Sequence, residues 1–298
     1  MAPVRRAFVH DASALSRRVA SHLARAHHLN SLINPEIDEK EMASTFARVA
    51  ADTWVDDSGG ALHGHLSARL LDDEEEAGLN AFSGPDAVSF DSVGVLARLL
   101  ESARPTWRSR SVRQHSVWST LDDHRAWTGL GYEPVAVSLA CSQLPESVAS
   151  RPGDVTVLRA APHNLATLVN LDAEIDRAQG EQVDESSATR LAELLIDPDV
   201  TYLVASRGGE IVGQVVAWDL GALVGYYAHT LHFSDLAVAP TARRSGVASL
   251  LLRRAVEMSP TPVTNLEART HTTNLGASAF WSRLGFTTAF VRLDHTFD

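Results

Sequence analysis

The chain of 298 residues contains one cysteine and no long run of apolar residues. A single cysteine, Cys141, excludes an internal disulfide and a thiolate metal cluster, and we expect it to be a small buried apolar side chain. No segment approaches the roughly 18 uninterrupted apolar residues that a membrane-spanning helix needs. The N-terminal stretch lacks the apolar core of a signal peptide, so the sequence predicts a cytoplasmic protein that does not enter a membrane.

Positive charge is also scarce, because 26 lysines and arginines stand against 37 aspartates and glutamates, which gives a formal net charge of −11. This balance argues against nucleic acid as a partner, since phosphate backbones bind clustered lysine and arginine. An acidic surface would suit a positively charged substrate. His63 and His65 lack carboxylate or cysteine neighbours at metal-ligand spacing, so we predict no metal site.

One basic segment stands out from this acidic background. Leu231 to Glu257 is predicted to form an apolar strand, a basic turn with a glycine, and a helix with an apolar face. In the turn, Gly246 and Ala248 let the backbone approach a phosphate, and the helix points its unpaired N–H groups at it. Arg243 and Arg244 add positive charge. This order indicates a pyrophosphate pocket, although the spacing fits neither the nucleotide-hydrolase loop nor the dinucleotide fingerprint.

The turn at residues 243–248, R-R-S-G-V-A, resembles the Q/R-x-x-G-x-G/A signature of the GCN5-related N-acetyltransferase (GNAT) family. Residues 274–286 resemble its second signature, N-x-x-A followed by an aromatic pair and L-G-F. The resemblance covers about Val155 to Leu293 and implies an α/β (α+β) fold with a mixed, mostly antiparallel sheet flanked by helices. It also implies metal-free transfer of an acetyl group from acetyl-CoA, or another acyl-CoA as cosubstrate, to a small-molecule or peptide amine.

In the family, turn amides hold the pyrophosphate, and the splayed fourth strand offers its backbone to the pantetheine amides and the thioester oxygen. Asn274 would face the cofactor arm, although ordinary helix capping explains this residue equally well. The cofactor contacts implied for this chain are Leu236, Ala237, Val238, Arg243, Arg244, Ser245, Gly246, Val247, Ala248, Asn274, Phe280 and Trp281.

An alkylamine with a pKa near 10.4 is mostly protonated at pH 7, so the site should include a base. His232 is the first candidate, because some relatives place a general-base glutamate at this point of the strand and histidine titrates near pH 6.5. Asp235 is the second candidate, and His229 and Glu267 remain open. The competing interpretation of His232 is a partly buried structural histidine.

Trp281 stands where many family members carry a tyrosine that protonates the departing thiolate. An indole N–H donates a hydrogen bond but does not release a proton. Tyr226 and Tyr227, in the glycine-containing loop before the fourth strand, are therefore candidates for the acid. A non-catalytic acyl-CoA-binding or sensing module is the competing function.

Residues 127–140 resemble residues 281–294, which predicts two related domains in tandem, at 1–146 and 153–298, in a monomer or homodimer. No R-x-x-G-x-A turn precedes the predicted helix from Val95 to Ala103. The N-terminal copy is therefore expected to be a degenerate GNAT-like domain that completes a core or walls the acceptor pocket. The run from Thr287 to Leu293 is expected to close the C-terminal sheet.

Overall fold

The computed structural model describes residues 4–33, 38–73, 78–145, 154–179, 186–220, 229–260 and 262–297. Within these ranges the chain is a mixed α/β protein. Its strands are β1 (Arg5–Arg6), β2 (Thr53–Asp56), β3 (Gly64–Ser67), β4 (Arg69–Asp73), β5 (Gly78–Ser83), β6 (Val88–Phe90), β7 (Val112–Thr120), β8 (Glu133–Cys141), β9 (Val155–Arg159), β10 (Val200–Arg207), β11 (Glu210–Asp219), β12 (Thr230–Val238), β13 (Asn265–His271) and β14 (Thr287–Thr296).

The α-helices of the same ranges are α1 (Ala12–Leu29), α2 (Glu39–Val49), α3 (Val93–Ser109), α4 (His124–Thr128), α5 (Leu165–Gln179), α6 (Ser187–Ile196), α7 (Val247–Met258) and α8 (Leu275–Arg283). None of the helices formed by these residues has the length and hydropathy to cross a membrane.

The described residues fall into two compact units that are not continuous in sequence. The N-terminal unit holds the described residues up to Val137 and those from Thr288 onward, and the C-terminal unit holds those from Ser138 to Thr287. The domain ranges 1–146 and 153–298 follow the sequence repeat instead, and they stay a prediction.

The N-terminal unit contains a four-stranded sheet, in the order β1-β2-β3-β6, and the strand series β4-β5-β7-β14. Strands β5 and β7 run parallel, whereas β7 and β14 run antiparallel. Helix α3 buries Leu96, Leu99 and Trp107 in a core that also contains Trp54 and Trp127. Because these α3 residues recur at intervals that place them on one helical face, the helix forms by burying that face.

The C-terminal unit contains the end of β8 and the series β13-β12-β11-β10-β9. Strands β9 to β12 pair antiparallel, and β12 pairs parallel with β13. Leu168 of α5 and Leu191 of α6 pack on Tyr202 and Val216 of the sheet. Helix α7 packs on strands β10, β11 and β12, and it buries Leu251. The mostly antiparallel mixed sheet with flanking helices confirms the predicted fold class.

A strand glycine lies beneath the start of one helix in each unit. A Cβ atom added at Gly64 of β3 would lie 2.5 Å from Cγ1 of Val95 in α3. A Cβ atom added at Gly213 of β11 would lie 3.0 Å from Cγ1 of Val247 in α7. Both helix starts therefore lie close to a strand at a glycine: a side chain at Gly64 would require a shift of Val95, and one at Gly213 would be tightly packed against Val247.

The prediction that residues from Thr287 to Leu293 close the C-terminal sheet is wrong. Strand β14 pairs antiparallel with β7 of the N-terminal unit, with Leu293 opposite Val117. The strand next to β13 is β8, of which Ser138–Cys141 belong to the C-terminal unit. Strands β8 and β14, which end the two similar segments of the sequence, have similar apolar patterns. The pattern alone therefore does not decide which strand each one pairs with.

Candidate active site

A cavity of about 770 Å³ lies in the C-terminal unit, lined by residues of β12, β13, α5, α7 and α8 and of the turn before α7. It brings together the first two candidates for the base, His232 and Asp235, but His229 and Glu267 do not line it. The candidates Tyr226 and Tyr227 lie outside the described residues. Eleven of the implied cofactor contacts line the cavity: Leu236, Ala237, Val238, Arg243, Arg244, Gly246, Val247, Ala248, Asn274, Phe280 and Trp281.

One end of the cavity meets the start of helix α7. Gly246 precedes the helix with φ 87° and ψ 0°, and Arg244 has φ 60°, so both residues are left-handed. The carbonyl of Gly246 accepts the first helical hydrogen bond, from the Leu250 N–H at 3.0 Å. No side chain of the described residues caps this turn. The first N–H groups of the helix, together with its dipole, therefore favour an anion here.

The two arginines of the turn have different surroundings. Nε of Arg243 donates to the Val238 carbonyl at 3.0 Å, and Nη2 lies 3.2 Å from Oε2 of Glu174 in α5. Arg243 therefore ties the end of β12 and helix α5 to the turn. Arg244 is exposed and lines the cavity, so its guanidinium can reach a ligand there.

Ser245 is the one implied cofactor contact that lies outside the cavity wall. Its Oγ donates to the Ala242 carbonyl at 2.7 Å and accepts from Nη2 of Arg207 at 3.2 Å. These bonds fix the side chain within the turn and beside β10. The contact of Ser245 with a cofactor stays a prediction.

Strand β12 contains a bulge where it borders the cavity. Its pairing with β11 shifts register between Ser234 and Ala237, so that Asp235 and Leu236 together face the single residue Val215. Asp235 adopts φ 47°, a conformation uncommon for residues other than glycine. A bulge leaves backbone groups of its extra residue unpaired and bends the strand. Beside the cavity, part of the β12 backbone is therefore outside the regular hydrogen-bonded pairing with β11.

The Asp235 carboxylate is engaged in an ion-pair bridge. Oδ1 accepts from Nη1 of Arg190 at 3.0 Å, and Oδ2 accepts from the Ser234 hydroxyl at 2.7 Å. The other end of the guanidinium donates to Oδ2 of Asp172 at 2.7 Å, and Asp172 is buried in α5. Arg190 thus links α5 and α6 to the bulge. This ion pair favours a structural role for Asp235, whose role as a base stays a prediction.

His232 is buried in β12 and contributes to the cavity wall. Its Nδ1 lies 2.8 Å from Oε2 of Glu267, its neighbour in the parallel strand β13. The Trp218 ring lies 5.1 Å from the imidazole, centroid to centroid. Because Nδ1 faces Glu267, Nε2 is the ring nitrogen that can face a ligand. His229, the alternative, is exposed and lies outside the wall.

Glu267 is fully buried beneath the cavity wall and accepts three hydrogen bonds. The donors are Nδ1 of His232 at 2.8 Å, the Ser138 hydroxyl at 2.7 Å and Nε of Arg269 at 2.9 Å. Burial alone would raise the pKa of this carboxyl, but the hydrogen bonds and charges of His232 and Arg269, with the Ser138 bond, lower its pKa to about 2. Glu267 is therefore an anion at neutral pH.

Helix α8 supplies the remaining predicted contacts. Oδ1 of Asn274 accepts from the Ala277 N–H at 3.0 Å and caps the helix, while the residue also borders the cavity. The capping interpretation of Asn274 is therefore observed, and its contact with the cofactor arm stays a prediction. Trp281 is buried, with its ring 6.3 Å from that of Phe233 and 4.8 Å from that of Phe286. Packing in this aromatic cluster accounts for Trp281 without any proton transfer.

The sequence motifs missed two parts of the wall. Helix α5 contributes four residues and β13 two, namely Glu174, Ile175, Ala178, Gln179, Arg269 and Thr270. The α5 residues are spaced one, three and one apart, so they share one helical face, and a search for cavity-facing helix stripes could have found them. The β13 residues carry no motif and become visible only through pairing with β12.

Comparison with known proteins gives an independent result. The model of the Acetyltransferase (GNAT) family matches residues 166–286. No curated protein matches the sequence. The chain is similar to the structure of a GCN5-related N-acetyltransferase from Sphaerobacter thermophilus, with 15% identity and a TM-score of 0.58 over 98% of this chain and 95% of that one.

It is also similar to a tandem GNAT protein from the clavulanic acid biosynthesis pathway, with 15% identity and a TM-score of 0.55 over 99% of this chain and 97% of that one. At this identity the two structures establish the fold alone. The family match covers the turn, the bulged strand and both signatures described above. Residues 166–286 therefore match the GNAT family model, and the chain has a fold shared with tandem GNAT proteins.

Proposed function

We propose that the C-terminal unit is an N-acetyltransferase, which moves an acetyl group from acetyl-CoA to a primary amine by direct attack within a ternary complex. One observation carries this proposal. A single cavity joins a helix start without a side-chain cap, a bulged strand and a buried histidine that contacts a carboxylate. An acyl-CoA needs these three elements for its pyrophosphate, its pantetheine amides and its reacting carbonyl.

The turn before α7 suits a pyrophosphate for three reasons. Gly246 has no side chain in the path of the phosphates, the N–H groups of Val247 and Ala248 open the helix, and Arg244 adds an exposed positive charge. Anions are stabilised at such helix starts by unpaired N–H groups and the helix dipole. Arg243, held by Glu174, would act by fixing the turn to α5.

The bulged strand suits the extended arm of the cosubstrate. The backbone of Leu236, Ala237 and Val238 borders the cavity directly after the bulge at Asp235. Amide groups of an extended ligand pair with a strand in the way that a further strand does. We infer that this segment binds the pantetheine arm and directs the thioester towards His232.

Acetyl-CoA supplies the thioester carbonyl that an amine attacks. His232 would accept the amine proton at Nε2, while the amine nitrogen bonds to the carbonyl carbon and the carbon–sulfur bond breaks. A general base of this kind contributes about 100- to 10,000-fold to a rate. A thiol with a pKa near 8.5 leaves readily as its thiolate, so the reaction does not require Trp281 to act as an acid. Tyr226 and Tyr227 stay predictions for that role.

For the N-terminal unit we propose a degenerate copy that does not bind acyl-CoA. Helix α3 is capped by a side chain, because Oγ of Ser92 accepts from the Val95 N–H at 3.4 Å. The C-terminal unit has Gly246 and a left-handed turn before the equivalent helix. A serine cap occupies one of the helix N–H groups that a phosphate would need.

The acceptor is proposed to be a small-molecule or peptide amine rather than nucleic acid. The net charge of −11 supports a cationic acceptor over a polyanion. Cytoplasmic location and a monomeric or homodimeric state stay predictions. The second candidate function is a non-catalytic acyl-CoA-binding module, favoured by the buried tryptophan at position 281.

The His232→Gln variant tests the catalytic assignment. A carboxamide can still donate to Glu267, but it does not accept a proton at neutral pH. We expect turnover to fall by about 100- to 1,000-fold, while the Kd for acetyl-CoA changes by less than about twofold. Release of CoA thiol with a panel of amines measures the first quantity, and calorimetry measures the second.

The matched control is His163→Gln, because His163 is exposed and lies outside the cavity wall. This variant should turn over at the wild-type rate. Wild-type turnover by His232→Gln would remove His232 from the mechanism. A wild-type protein that binds acetyl-CoA but releases no CoA with any amine would favour the binding module.

A further inference from the structure

We propose that Glu267 is a positioning residue, which holds His232 in the tautomer with the proton on Nδ1 and so leaves Nε2 as the proton acceptor in the cavity. This inference rests on the proposed function, because the acetyl transfer proposed above supplies the amine proton that Nε2 of His232 accepts. The sequence left Glu267 open as a base. The structure supports a different role, in which Glu267 acts through its neighbour.

The two carboxylate oxygens of Glu267 contact different partners. Oε2 faces Nδ1 of His232 at 2.8 Å. Oε1 accepts from the Ser138 hydroxyl at 2.7 Å and from Nε of Arg269 at 2.9 Å. An arginine side chain donates and never accepts hydrogen bonds. The Arg269 contact therefore requires an acceptor atom at the Oε1 position, whatever residue stands there.

Because Oε2 of an ionised carboxylate can only accept, Nδ1 of His232 must carry the proton in this contact. In a neutral imidazole the other nitrogen is then the acceptor. His232 borders the cavity, whereas Glu267 is fully buried and lies outside the wall. Nε2 of His232 can therefore contact the amine in the cavity, whereas the carboxylate of Glu267 does not contact it.

Glu267 is poorly suited to be the base itself. Three donors already use its oxygens, and they keep its pKa low despite its burial. When His232 takes the amine proton at Nε2, the imidazolium faces the Glu267 anion through Nδ1–H, so charge is balanced without a second proton transfer. The proton on Nε2 then passes to the departing thiolate or to water, which restores the starting tautomer.

The test is Glu267→Gln, which keeps the shape of the side chain. Arg269 Nε–H still needs an acceptor, so the amide oxygen should occupy the Oε1 position and the amide NH2 should face His232. Nδ1 must then accept, which forces the proton onto Nε2. The equivalent carboxylate-to-amide exchange in serine-protease triads produces the wrong tautomer and costs about 10,000-fold in kcat.

We expect Glu267→Gln to lower kcat by about 100- to 10,000-fold, with the Kd for acetyl-CoA changed less than about twofold. The 15N chemical shifts of the His232 ring, assigned by their loss in His232→Gln, report the tautomer without any substrate. The wild-type protein should have protonated Nδ1, and Glu267→Gln should have protonated Nε2. Glu267→Asp keeps a carboxylate and should retain protonated Nδ1, which provides a readout even if the glutamine variant does not fold.

Protonated Nε2 in the wild-type protein, or an unchanged tautomer in folded Glu267→Gln, would overturn the inference. Failure of the proposed function has a different signature. A tautomer that changes as expected while kcat stays at the wild-type value would support the positioning of His232 and contradict its role as the base.

Discussion

The Gly246→Glu variant is expected to bind acetyl-CoA at least about 100-fold more weakly than the wild-type protein, which corresponds to about 2.7 kcal/mol of binding free energy. Gly246 has φ 87°, where a side chain strains the backbone. The new carboxylate would also occupy the phosphate approach and repel a pyrophosphate. Calorimetric titration with acetyl-CoA measures the loss.

The control for backbone strain is Gly209→Glu. Gly209 has φ 88°, nearly the same as Gly246, but it lies in the turn between β10 and β11, where an added Cβ would meet no atom within 4 Å. The strain is thus matched while the cavity stays intact. We expect wild-type affinity in this control. Wild-type affinity in Gly246→Glu would show that the turn before α7 does not bind the cosubstrate.

The second large effect is a loss of stability as the pH falls below about 6.5, caused by three histidines of the N-terminal unit. His65 and His115 are fully buried, and this burial lowers the pKa of each to about 3, while burial lowers the pKa of His22 to about 4. Unfolded histidine has a pKa of about 6.5, so below that pH the unfolded chain binds more protons than the folded one. Stability is therefore complete above pH 6.5 and is lost progressively towards pH 3.

Each histidine should cost up to about 1.4 kcal/mol per pH unit in this window, so the free energy of unfolding should fall by about 3.5 kcal/mol between pH 6 and pH 5. Urea titrations followed by tryptophan fluorescence measure this fall, since the His115 ring lies 4.6 Å from that of Trp107. In His115→Gln the fall should be about two thirds as large, because His22 and His65 remain. The exposed His28 provides the control, because His28→Gln should keep the full fall. Equal falls in both variants would contradict the prediction.

The local elements follow closely from sequence. The apolar spacing predicts a strand from Val155 to Arg159 and a helix from Ser186 to Ile196, and the structure has a strand at Val155–Arg159 and a helix at Ser187–Ile196. Alternating or helical apolar spacing and breakers such as Asp197-Pro198 encode these elements locally. The helix predicted from Val95 to Ala103 is longer, Val93–Ser109, and contains Pro105. Burial of Trp107 near its end explains why the helix continues past that proline.

Strand partners do not follow in the same way. The pattern of β14 predicts a strand, but its pairing with β7 depends on contacts between residues far apart in sequence. Because β8 and β14 have similar apolar faces, the local pattern does not show which of the two pairs with β7 and which lies next to β13. The bulge at Asp235 does not follow from local sequence either, since its register is fixed only by the pairing of β12 with β11.

The candidate site was predictable where a motif is continuous. The turn at 243–248 and the N-x-x-A signature place their residues around one cavity, except for Ser245, whose side chain bonds within the turn. The bridge from Arg190 to Asp235 and the contact of Glu267 with His232 join separate elements. No spacing rule encodes such contacts, because they arise when helices and strands pack. The roles assigned to these residues stay predictions until variants are measured.

The most direct test of the central claim is calorimetric titration of the full chain with acetyl-CoA, with stoichiometry as the readout. The account predicts one site per chain, formed by the C-terminal unit and removed in Gly246→Glu. Absence of any binding would contradict the acyl-CoA assignment itself. Two sites per chain would contradict the degenerate N-terminal copy.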